Sequence, residues 1–516
     1  MTAVLDRVLG RVTMYALVIL CLTLIAVVAF VLSLFNQLSA WPEALTLNVL
    51  PFELLVSATV LFTFSYLANG IFGVIFRTHP QLSSTAITAL ILLFVFQPTL
   101  DLKGLGGLAL AATAAVASKY LFAWRRRHIF NPSAFGAVVV GLSGLAFPSW
   151  WVGTPPLLPF VIVGALLVLF RTRRIPLGAI YVAVAATTMT LVSVILVGTP
   201  VQTALTFALV SSPIWFFAGF MLSEPLTLPP RRWQQLSLAA FVAVFAAIPF
   251  QIGPADAPIL GNSPQLALLV GNLIAFFFGQ RRAIRLDLVG RRRLTPTIWE
   301  FSFQPLAPVR FEPGQFVELA LPHHHTDARG WRRMFSIASA PKPGEPLRFG
   351  IRFPERSSSF KRTLFALEPG SRIMATAVYG DFVLPADHSR KLLLVAAGIG
   401  ITPFVGQLER IAEGEKRDVV VVYELTAIDD LAYGHELVAA GCRVIVIAPE
   451  VPENLPIGWT WAGADALTAE RILETVPDAH DRETYLSGLP SMVPPLKRAL
   501  KRAGVKRVRT DAFIGY

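Results

Sequence analysis

Long apolar runs separated by short polar loops fill the first half of the chain, and short alternating runs fill the second half. A helix needs about 20 apolar residues to cross a bilayer. Ten runs approach or reach that length: 12–35, 49–75, 84–97, 104–122, 134–147, 156–170, 177–197, 202–222, 234–250 and 264–279. The pattern predicts a polytopic α-helical membrane domain with about ten transmembrane helices over residues 1–282.

The basic residues of this half fall in alternate loops. Almost all of them lie on one side of the expected membrane: Arg7, Arg11, Arg77, Arg125, Arg126, Arg127, Arg171, Arg173, Arg174, Arg231, Arg232, Arg281, Arg282 and Arg285. On the other side Lys103 is the exception. Because Lys and Arg stay in the cytoplasm, the alternation predicts a multi-pass protein of the cell (inner or plasma) membrane with both termini cytoplasmic.

Two of the predicted spans are irregular. The run 84–97 is short and is followed by Pro98, and the run 202–222 is interrupted by Ser211-Ser212-Pro213. In a five-plus-five inverted repeat these two segments would occupy equivalent places, and paired broken helices often bracket a central site. Two ordinary irregular helices are the alternative interpretation.

The second half has the pattern of a two-domain globular module. Short alternating strands with turn residues are typical of a small antiparallel β-barrel over 283–390, with strands expected at 286–289, 298–303, 315–321, 335–339 and 348–353. From residue 391 onward, apolar strands alternate with helical segments, which predicts an α/β domain with a parallel sheet over 391–516.

Composition narrows the function classes. The chain is 54% hydrophobic and 15% charged, with a mean hydropathy of +0.59. The net charge of +12 does not indicate nucleic-acid binding, because many of the basic residues lie in loops between spans. Two cysteines, Cys21 and Cys442, are too few for an iron–sulfur cluster, which normally takes four.

Three segments of the second half carry the chemistry. They are Arg333-Met334-Phe335-Ser336, the run Leu392–Ala397 followed by Gly398-Ile399-Gly400-Ile401-Thr402-Pro403, and the tail Phe513–Tyr516. In this order and spacing they resemble the ferredoxin–NADP reductase superfamily. The resemblance implies a flavin barrel that binds FAD over 283–390 and an NAD(P)-binding domain over 391–516, which together form an FAD-dependent NAD(P)H oxidoreductase.

The resemblance assigns the flavin contacts. Arg333 would pair with the FAD pyrophosphate, since a guanidinium matches phosphate geometry. Phe335 would stack against the flavin, and Ser336 would hydrogen-bond near the atom that receives the hydride. Ser358 and Ser359, at the start of an expected helix 360–366, would bind the pyrophosphate or merely cap the helix. The family usually has Tyr in place of Phe335 and a glycine just upstream of the serines.

The nucleotide contacts follow the same resemblance. Gly398, Gly400, Thr402 and Pro403 form a strand–turn–helix junction at which a pyrophosphate can approach the helix.

The segment Tyr485–Met492 resembles the nicotinamide side, where Ser487 replaces a frequent Cys beside Gly488. Terminal Tyr516 would cover the flavin until nicotinamide displaces it. Glu424, at the end of a strand, could accept a hydrogen bond from a ribose hydroxyl and repel a 2′-phosphate. This favours NADH over NADPH.

A run of three histidines, His323-His324-His325, suggests a metal site at first sight. Consecutive loop residues rarely converge on one ion, and no cysteine or carboxylate cluster supports them. A solvated loop is therefore the preferred interpretation, and no metal is expected.

The first half resembles a second family. Ala86–Leu92, Ser118-Lys119-Tyr120, Arg127–Gly136 and Met221–Thr227 are similar to the RnfD/NqrB membrane subunits of the Rnf complex and the sodium-pumping NADH:quinone reductase. That likeness implies a ten-helix fold that carries electrons within or across the membrane. The family's flavinylated threonine is missing from Ser143-Gly144-Leu145-Ala146, so noncovalent FMN or a quinone is expected instead.

Polar residues at the ends of the spans have two interpretations. Lys119, Asn131 and Glu224 could be functional because charges at membrane depth are costly. Interfacial anchoring or helix capping is the preferred interpretation of each one alone.

The leading functional hypothesis joins the two halves: cytoplasmic NAD(P)H reduces FAD, and electrons pass into or across the membrane to a quinone or a flavinylated extracytoplasmic protein. A redox-driven ion pump is a second hypothesis. A haem-type transmembrane reductase is a third, but only His79 and His128 lie in the membrane half, and both are in basic loops. A purely regulatory sensor would leave the cofactor motifs unexplained.

Overall fold

The computed structural model describes residues 12–35, 49–78, 81–124, 127–252, 260–278, 284–323, 327, 331–451 and 455–512. The chain divides into two compact units. One, the N-terminal unit, is Met14–Arg281; the other, the C-terminal unit, is Arg282–Tyr516 together with Met1–Thr13.

Helices form the N-terminal unit, and each predicted span contains one or more of them. They are α1 (Met14–Leu34), α2 (Pro51–Ile75), α3 (Leu82–Val95), α4 (Leu102–Leu121), α5 (Pro132–Ser143), α6 (Leu158–Arg171), α7 (Ile175–Val192), α8 (Val201–Thr206), α9 (Ile214–Phe216), α10 (Arg232–Ala247) and α11 (Pro264–Phe278). Wider π-helical turns extend α7, α8 and α9 over Ser193–Val197, Phe207–Ser211 and Phe217–Leu222.

The expectation of ten membrane-spanning helices is wrong by length. Within the described residues four helices are long and apolar enough to cross a membrane: Met14–Leu34, Pro51–Ile75, Leu102–Leu121 and Ile175–Val197. A fifth is reached if the bent pair Val201–Ser211 and Ile214–Leu222 counts as one span. An apolar run shows which residues avoid water, not which are helical. Helix α5, for example, is capped by Asn131 and ends at the left-handed Gly144 after only 12 residues. Four or five spans are compatible with a membrane location.

The two irregular segments do break where the sequence indicates, and they meet. Helix α3 ends at Val95, and the second segment bends by 46° at Ser212-Pro213. The rings of Phe94 and Phe216, both fully buried, lie 5.6 Å apart between centroids. The indole Nε1 of Trp151 donates to the carbonyl of Leu93 at 2.7 Å, which satisfies a backbone group near the end of α3.

The first part of the C-terminal unit is a six-stranded antiparallel sheet. Its strands are β1 (Ile284–Arg293), β2 (Ile298–Pro305), β3 (Phe316–Ala320), β4 (Arg332–Ser336), β5 (Leu347–Arg352) and β6 (Arg372–Tyr379), in the order β4-β3-β6-β1-β2-β5. Inward residues of alternating strands, such as Phe301, Phe303 and Phe349, form its core with helix α12 (Ser359–Phe365).

This sheet is not closed into the predicted barrel. The chain after β4 reaches β5 through the hydrogen bond from Ala338 N to Arg348 O. No ladder pairs β4 with β5 in the described part of the chain, so the two remain edge strands. Strand β4 has five residues and β5 has six, and β4 ends before its residues can pair with those of β5.

The second part of the C-terminal unit is the predicted parallel α/β domain. Its strands are β7 (Leu392–Ala397), β8 (Val419–Glu424), β9 (Arg443–Ile447), β10 (Trp459–Trp461), β11 (Glu483–Gly488) and β12 (Val508–Ala512), in the order β10-β9-β8-β7-β11-β12. Its helices are α13 (Thr402–Ala412), α14 (Gly434–Ala439), α15 (Ala469–Thr475) and α16 (Val493–Arg502). Strand β7 is almost entirely apolar because both faces of the sheet are covered.

Helix α13 joins the two sheets of the C-terminal unit. Gln407 Nε2 donates to the carbonyl oxygens of Pro313 and Phe382 at 3.3 and 2.9 Å. The ring of Phe382 packs against Phe404 at 5.5 Å and against Tyr485 at 5.2 Å. These buried contacts fix the antiparallel and parallel sheets as neighbours.

Candidate functional site

The first group of predicted residues meets at strand β4 and helix α12. Arg333 on β4 is 4% exposed, and its NH2 lies 3.3 Å from Oδ1 of Asp327. The other carboxylate oxygen of Asp327 accepts a hydrogen bond from the backbone N–H of Ser359 at 3.0 Å. Two donors from different elements therefore converge on one anionic group, and both are residues for which the sequence predicts a pyrophosphate contact.

Aromatic rings line the same place. The rings of Phe335 and Phe360 lie 5.9 Å apart, and the guanidinium carbon of Arg333 lies 5.3 Å from the Phe360 centroid. The cation–π contact and the packing around it hold the Arg333 side chain in position. Phe335 is half-buried, so part of its ring remains accessible to a planar ligand.

The remaining flavin-side residues are adjacent. Ser358 caps α12, because its hydroxyl accepts from Lys361 N at 3.3 Å, as the capping alternative predicts. Ser336 is buried at the end of β4.

His323 is a half-buried loop residue that joins this network, and the solvated-loop interpretation of the histidine run stays a prediction. Its Nδ1 lies 2.8 Å from the carbonyl of Leu321 and its Nε2 lies 3.0 Å from the Ser359 hydroxyl. A carbonyl only accepts, so Nδ1 carries a proton and the serine hydroxyl can donate to Nε2. The same hydroxyl accepts from Asp327 N at 3.0 Å. His324 and His325 lie outside the described residues, among which no group of three potential metal ligands occurs.

The glycine junction after β7 has the predicted strand–turn–helix geometry. Gly398 has a φ of +51°, which favours glycine, and it begins a 3₁₀ turn that runs into α13. A Cβ on Gly400 would overlap the carbonyl oxygen of Ser487. The Thr402 hydroxyl donates to Ile399 O at 3.0 Å, and Pro403 occupies the first turn of α13. The turn is thus held tightly against strand β11.

The other nucleotide-side residues follow the ends of neighbouring strands. Ser487 and Gly488 end β11, and the hydroxyl of Ser487 is buried without a hydrogen-bond partner among the described residues. Glu424 ends β8, where its Oε1 accepts from Leu467 N at 3.0 Å. Tyr516, the predicted flavin cover, lies outside the described residues.

Sequence reasoning missed two acidic residues of this unit. Asp327 carried no signal, because an isolated Asp in a polar loop has no periodicity. Asp511 pairs in register with Ser487 in the sheet. Burial, and secondarily the nearby Asp381, raises the pKa of Asp511 to about 7. A carboxyl that titrates near neutral pH beside a predicted nicotinamide residue is a candidate functional group.

The predicted polar residues of the N-terminal unit form two hydrogen-bonded groups, one around Glu224 and one around Lys119. Glu224 accepts from His128 Nε2 at 2.8 Å through one oxygen and from Asn131 Nδ2 at 2.9 Å through the other. Asn131 N in turn donates to Asn272 Oδ1 at 2.7 Å. The ammonium of Lys119 donates to Ser84 O, Ser84 Oγ and Thr88 Oγ1 at 3.1, 3.0 and 2.9 Å. Asn131 also caps α5, as the capping interpretation predicts, because its Oδ1 accepts from Ala134 N at 3.0 Å.

The flavin-side residues fit FAD. A buried guanidinium and a backbone N–H already hold a carboxylate, and a pyrophosphate offers oxygens of the same kind. The half-buried Phe335 beside them can contact an aromatic ring system, and the tight turn at Gly400 leaves backbone amides near Gly398 uncrowded by side chains. These hydrogen-bond donors and the accessible aromatic ring are therefore suited to a dinucleotide.

Comparisons with known proteins find relatives that are named as reductases and oxidoreductases. The chain is 27% identical over 222 residues to the reductase subunit of an aromatic O-demethylase from Amycolatopsis, covering 40% of this chain and 62% of that protein. It is 28% identical over 221 residues to an NADPH oxidoreductase from Mycobacterium tuberculosis, covering 42% and 54%. The chain thus spans between about half and two thirds of the length of these relatives. No family model matches.

Among solved structures, the chain is similar to an Amycolatopsis cytochrome P450 reductase, with a TM-score of 0.39, 23% identity, and coverage of 45% of this chain and 70% of that one. A Plasmodium falciparum ferredoxin–NADP⁺ reductase gives a TM-score of 0.37 and 15% identity, covering 45% and 96%. The sequence relatives, which are named as a reductase subunit and an oxidoreductase, support an oxidoreductase module in this chain. The RnfD/NqrB resemblance of the N-terminal unit stays a prediction.

Proposed function

We propose that the protein is a membrane-bound, FAD-dependent NAD(P)H oxidoreductase that takes electrons from cytoplasmic NAD(P)H and passes them to an acceptor in or across the membrane. The convergence of Arg333 and Ser359 on one anion, in a unit that also carries the Gly398–Pro403 turn, is the observation that carries the proposal. The relatives named as reductases and the four apolar helices support it.

In this proposal each predicted residue has a task toward FAD in the 283–390 domain. When bound, FAD accepts a hydride from a nicotinamide and releases the electrons to a further acceptor. Arg333 binds its pyrophosphate, with Ser358 and Ser359 at the start of α12. Phe335 packs against the ring system and Ser336 orients its reacting edge.

The 391–516 domain binds the nucleotide. The turn that receives its pyrophosphate is shaped by Gly398, Gly400, Thr402 and Pro403. Glu424 favours NADH by accepting a hydrogen bond from a ribose hydroxyl. Ser487 and Gly488 lie beside the nicotinamide, and Tyr516 covers the flavin until nicotinamide arrives. Helix α13 keeps the two domains in the fixed contact that hydride transfer requires.

The N-terminal unit supplies the route to the acceptor. The meeting of the broken segments at Phe94 and Phe216 provides buried aromatic walls, and we assign a noncovalent FMN or a quinone to that region. The acceptor is then a membrane quinone or an extracytoplasmic flavoprotein. A soluble partner protein is a second candidate, favoured by relatives that are named as reductase subunits of demethylases.

One preparation of the full-length protein tests these statements. Purified protein should release FAD on denaturation and should oxidise NADH faster than NADPH with ferricyanide as the acceptor. In nanodiscs it should also reduce a quinone. If the protein reduces ferricyanide but neither a quinone nor an extracytoplasmic flavoprotein, the hypothesis of a membrane acceptor is contradicted. A partner protein is then the remaining candidate acceptor. Absence of FAD would contradict the whole proposal.

A further inference from the structure

Helix α16 and the turn after it carry the most one-sided charge of the C-terminal unit. Between Met492 and Thr510 the chain has no acidic residue. Five exposed cations form what we call the basic surface: Arg498, Lys501, Arg502, Lys506 and Arg507. The opposite face of α16 is fixed because Val493, Leu496 and Leu500 are buried in the core. The helix therefore cannot rotate to hide its charges.

These cations differ from most others in the unit. Arg372 pairs with Asp287 at 2.7 Å, Lys391 with Asp478 at 3.4 Å, and Arg482 with Asp478 at 2.8 Å. Within the part of the chain that the structure describes, no member of the basic surface forms an ion pair or side-chain hydrogen bond; the nearby Arg509 does, with Glu483. Five charges without such a partner, on a helix and the turn that follows it, form an electrostatic recognition surface for an anionic partner.

We propose that the basic surface docks the C-terminal unit onto anionic lipid headgroups. The proposal rests on the membrane location in the proposed function, because the same chain carries four helices able to cross a bilayer. A unit tethered there is always close to headgroups, which attract basic segments within a Debye length. The basic surface has no aromatic side chain for stacking on bases, which disfavours a single-stranded nucleic acid.

Lysine labelling of the full-length protein tests this docking. The protein is placed in nanodiscs of phosphatidylcholine alone, or of phosphatidylcholine with phosphatidylglycerol, and treated with a water-soluble amine reagent. Lys416, exposed and outside the basic surface, is the internal reference. On anionic discs Lys501 and Lys506 should be labelled at least ~3-fold more slowly than on neutral discs, and high salt should abolish this protection. Equal labelling on both discs would overturn the proposal, as would protection that needs an added acidic protein or RNA.

Matched variants sharpen the result. Lys501→Gln with Arg502→Gln should remove the protection of Lys506 on anionic discs. Arg310→Gln with Arg356→Gln removes two exposed cations elsewhere in the unit and keeps the reference Lys416, and it should leave that protection unchanged. Loss of the Lys506 protection in both double variants would show that net charge alone causes the protection, and it would contradict a defined docking surface.

A second, independent inference concerns Asp327. Its carboxylate takes the two donors, Arg333 and Ser359 N–H, that the proposed function assigns to the FAD pyrophosphate. A guanidinium that is 4% exposed needs a counter-charge in the absence of ligand. We infer that Asp327 is an internal substitute anion, which FAD displaces from Arg333 when it binds. Two anions on the same donors would repel each other.

The inference predicts opposite effects of Asp327→Asn on two quantities. The ligand-free full-length protein should unfold at a lower temperature, whereas FAD should bind at least ~3-fold more tightly because its competitor is weaker. Glu368→Gln, which removes an exposed carboxylate from the same domain, should change neither. Weaker or unchanged FAD binding in Asp327→Asn would overturn the inference. If the unaltered protein binds no FAD, the proposed function fails instead.

Discussion

The two units of the chain give their polar side chains different partners. In the C-terminal unit, carboxylates pair with Arg and Lys, both at the surface, as Asp287 does with Arg372, and in the interior, as Glu483 does with Arg509. In the N-terminal unit, polar groups gather inside, where Glu224 accepts from both His128 and Asn131. Surface ion pairs contribute little because water solvates their members anyway. A polar group that is removed from water needs a partner, so the hydrogen bonds around Glu224 indicate that this group has a structural or functional role.

The two units can also be compared by activity, because a separate assay reports on the C-terminal unit alone. If each unit performs its own step, a change in one unit should leave the step of the other intact. Reduction of ferricyanide by NADH reports on the C-terminal unit, and reduction of a lipid-embedded acceptor requires both.

The largest effect is expected for Arg333→Ala. Loss of a charge-assisted contact to the pyrophosphate, worth ~2 kcal/mol, should weaken FAD binding by roughly 30-fold. Arg332→Ala is the matched control, because Arg332 is its neighbour on β4 but contacts Trp331 and Glu318 instead. FAD titration of the ligand-free protein measures both. Equal affinities in the two variants would contradict the assignment of Arg333.

A smaller effect is expected for Glu224→Ala, and it should be confined to the reduction of the lipid-embedded acceptor. His128 and Asn131 lose their common acceptor, and each buried hydrogen bond to a charged group contributes ~1.5–3 kcal/mol. Reduction of the lipid-embedded acceptor should fall several-fold while ferricyanide reduction stays unchanged. Glu224→Gln retains one acceptor oxygen and one donor, so it should lie between Ala and the unaltered protein. A parallel loss of both activities would show that the two units are not independent.

Local pattern predicted much of this structure because each element has its own periodicity. The strand expected at 298–303 is Ile298–Pro305, and the helix expected at 360–366 is Ser359–Phe365. Strand Arg372–Tyr379 was missed, since its small residues Ala375 and Ala377 give a weak alternation. Its place is set by pairing with β1 and β3, which are distant in sequence.

The site was predictable only in part, for a related reason. Arg333 and Gly400 stand in motifs whose spacing reflects a local turn or strand, so the sequence identifies them. The partners of Arg333 come from a loop and a helix, and no local pattern records that Asp327 and Ser359 meet there. The barrel and the ten spans were wrong because apolar content reports burial, whereas closure of a sheet and helix length depend on hydrogen bonds between particular residues.

Gly400→Ala should have a moderate effect confined to the nucleotide side. The added Cβ overlaps the carbonyl of Ser487, and forcing such a contact costs ~1–3 kcal/mol. The turn must move away from β11, so the KM for NADH in ferricyanide reduction should rise several-fold while FAD affinity is unchanged. Gly290→Ala is the control, because a Cβ there meets no atom within 4 Å. A variant with unaltered KM would mean that the turn does not shape the nucleotide site.

The smallest expected effect concerns pH and Asp511. Burial, with Asp381 as a second cause, raises the pKa of Asp511 in the folded protein to about 7, above its ordinary value of 3.8. Between these values the folded state binds more protons than the unfolded chain, so this group makes stability fall as pH rises through the window. Asp511→Asn cannot ionise. Its thermal midpoint should match the unaltered protein near pH 4 and exceed it by a few degrees near pH 8. Asp381→Asn should give a smaller gain of the same sign, because burial remains. Parallel pH profiles for all three proteins would contradict the raised pKa and remove Asp511 as a titrating group of the nicotinamide side.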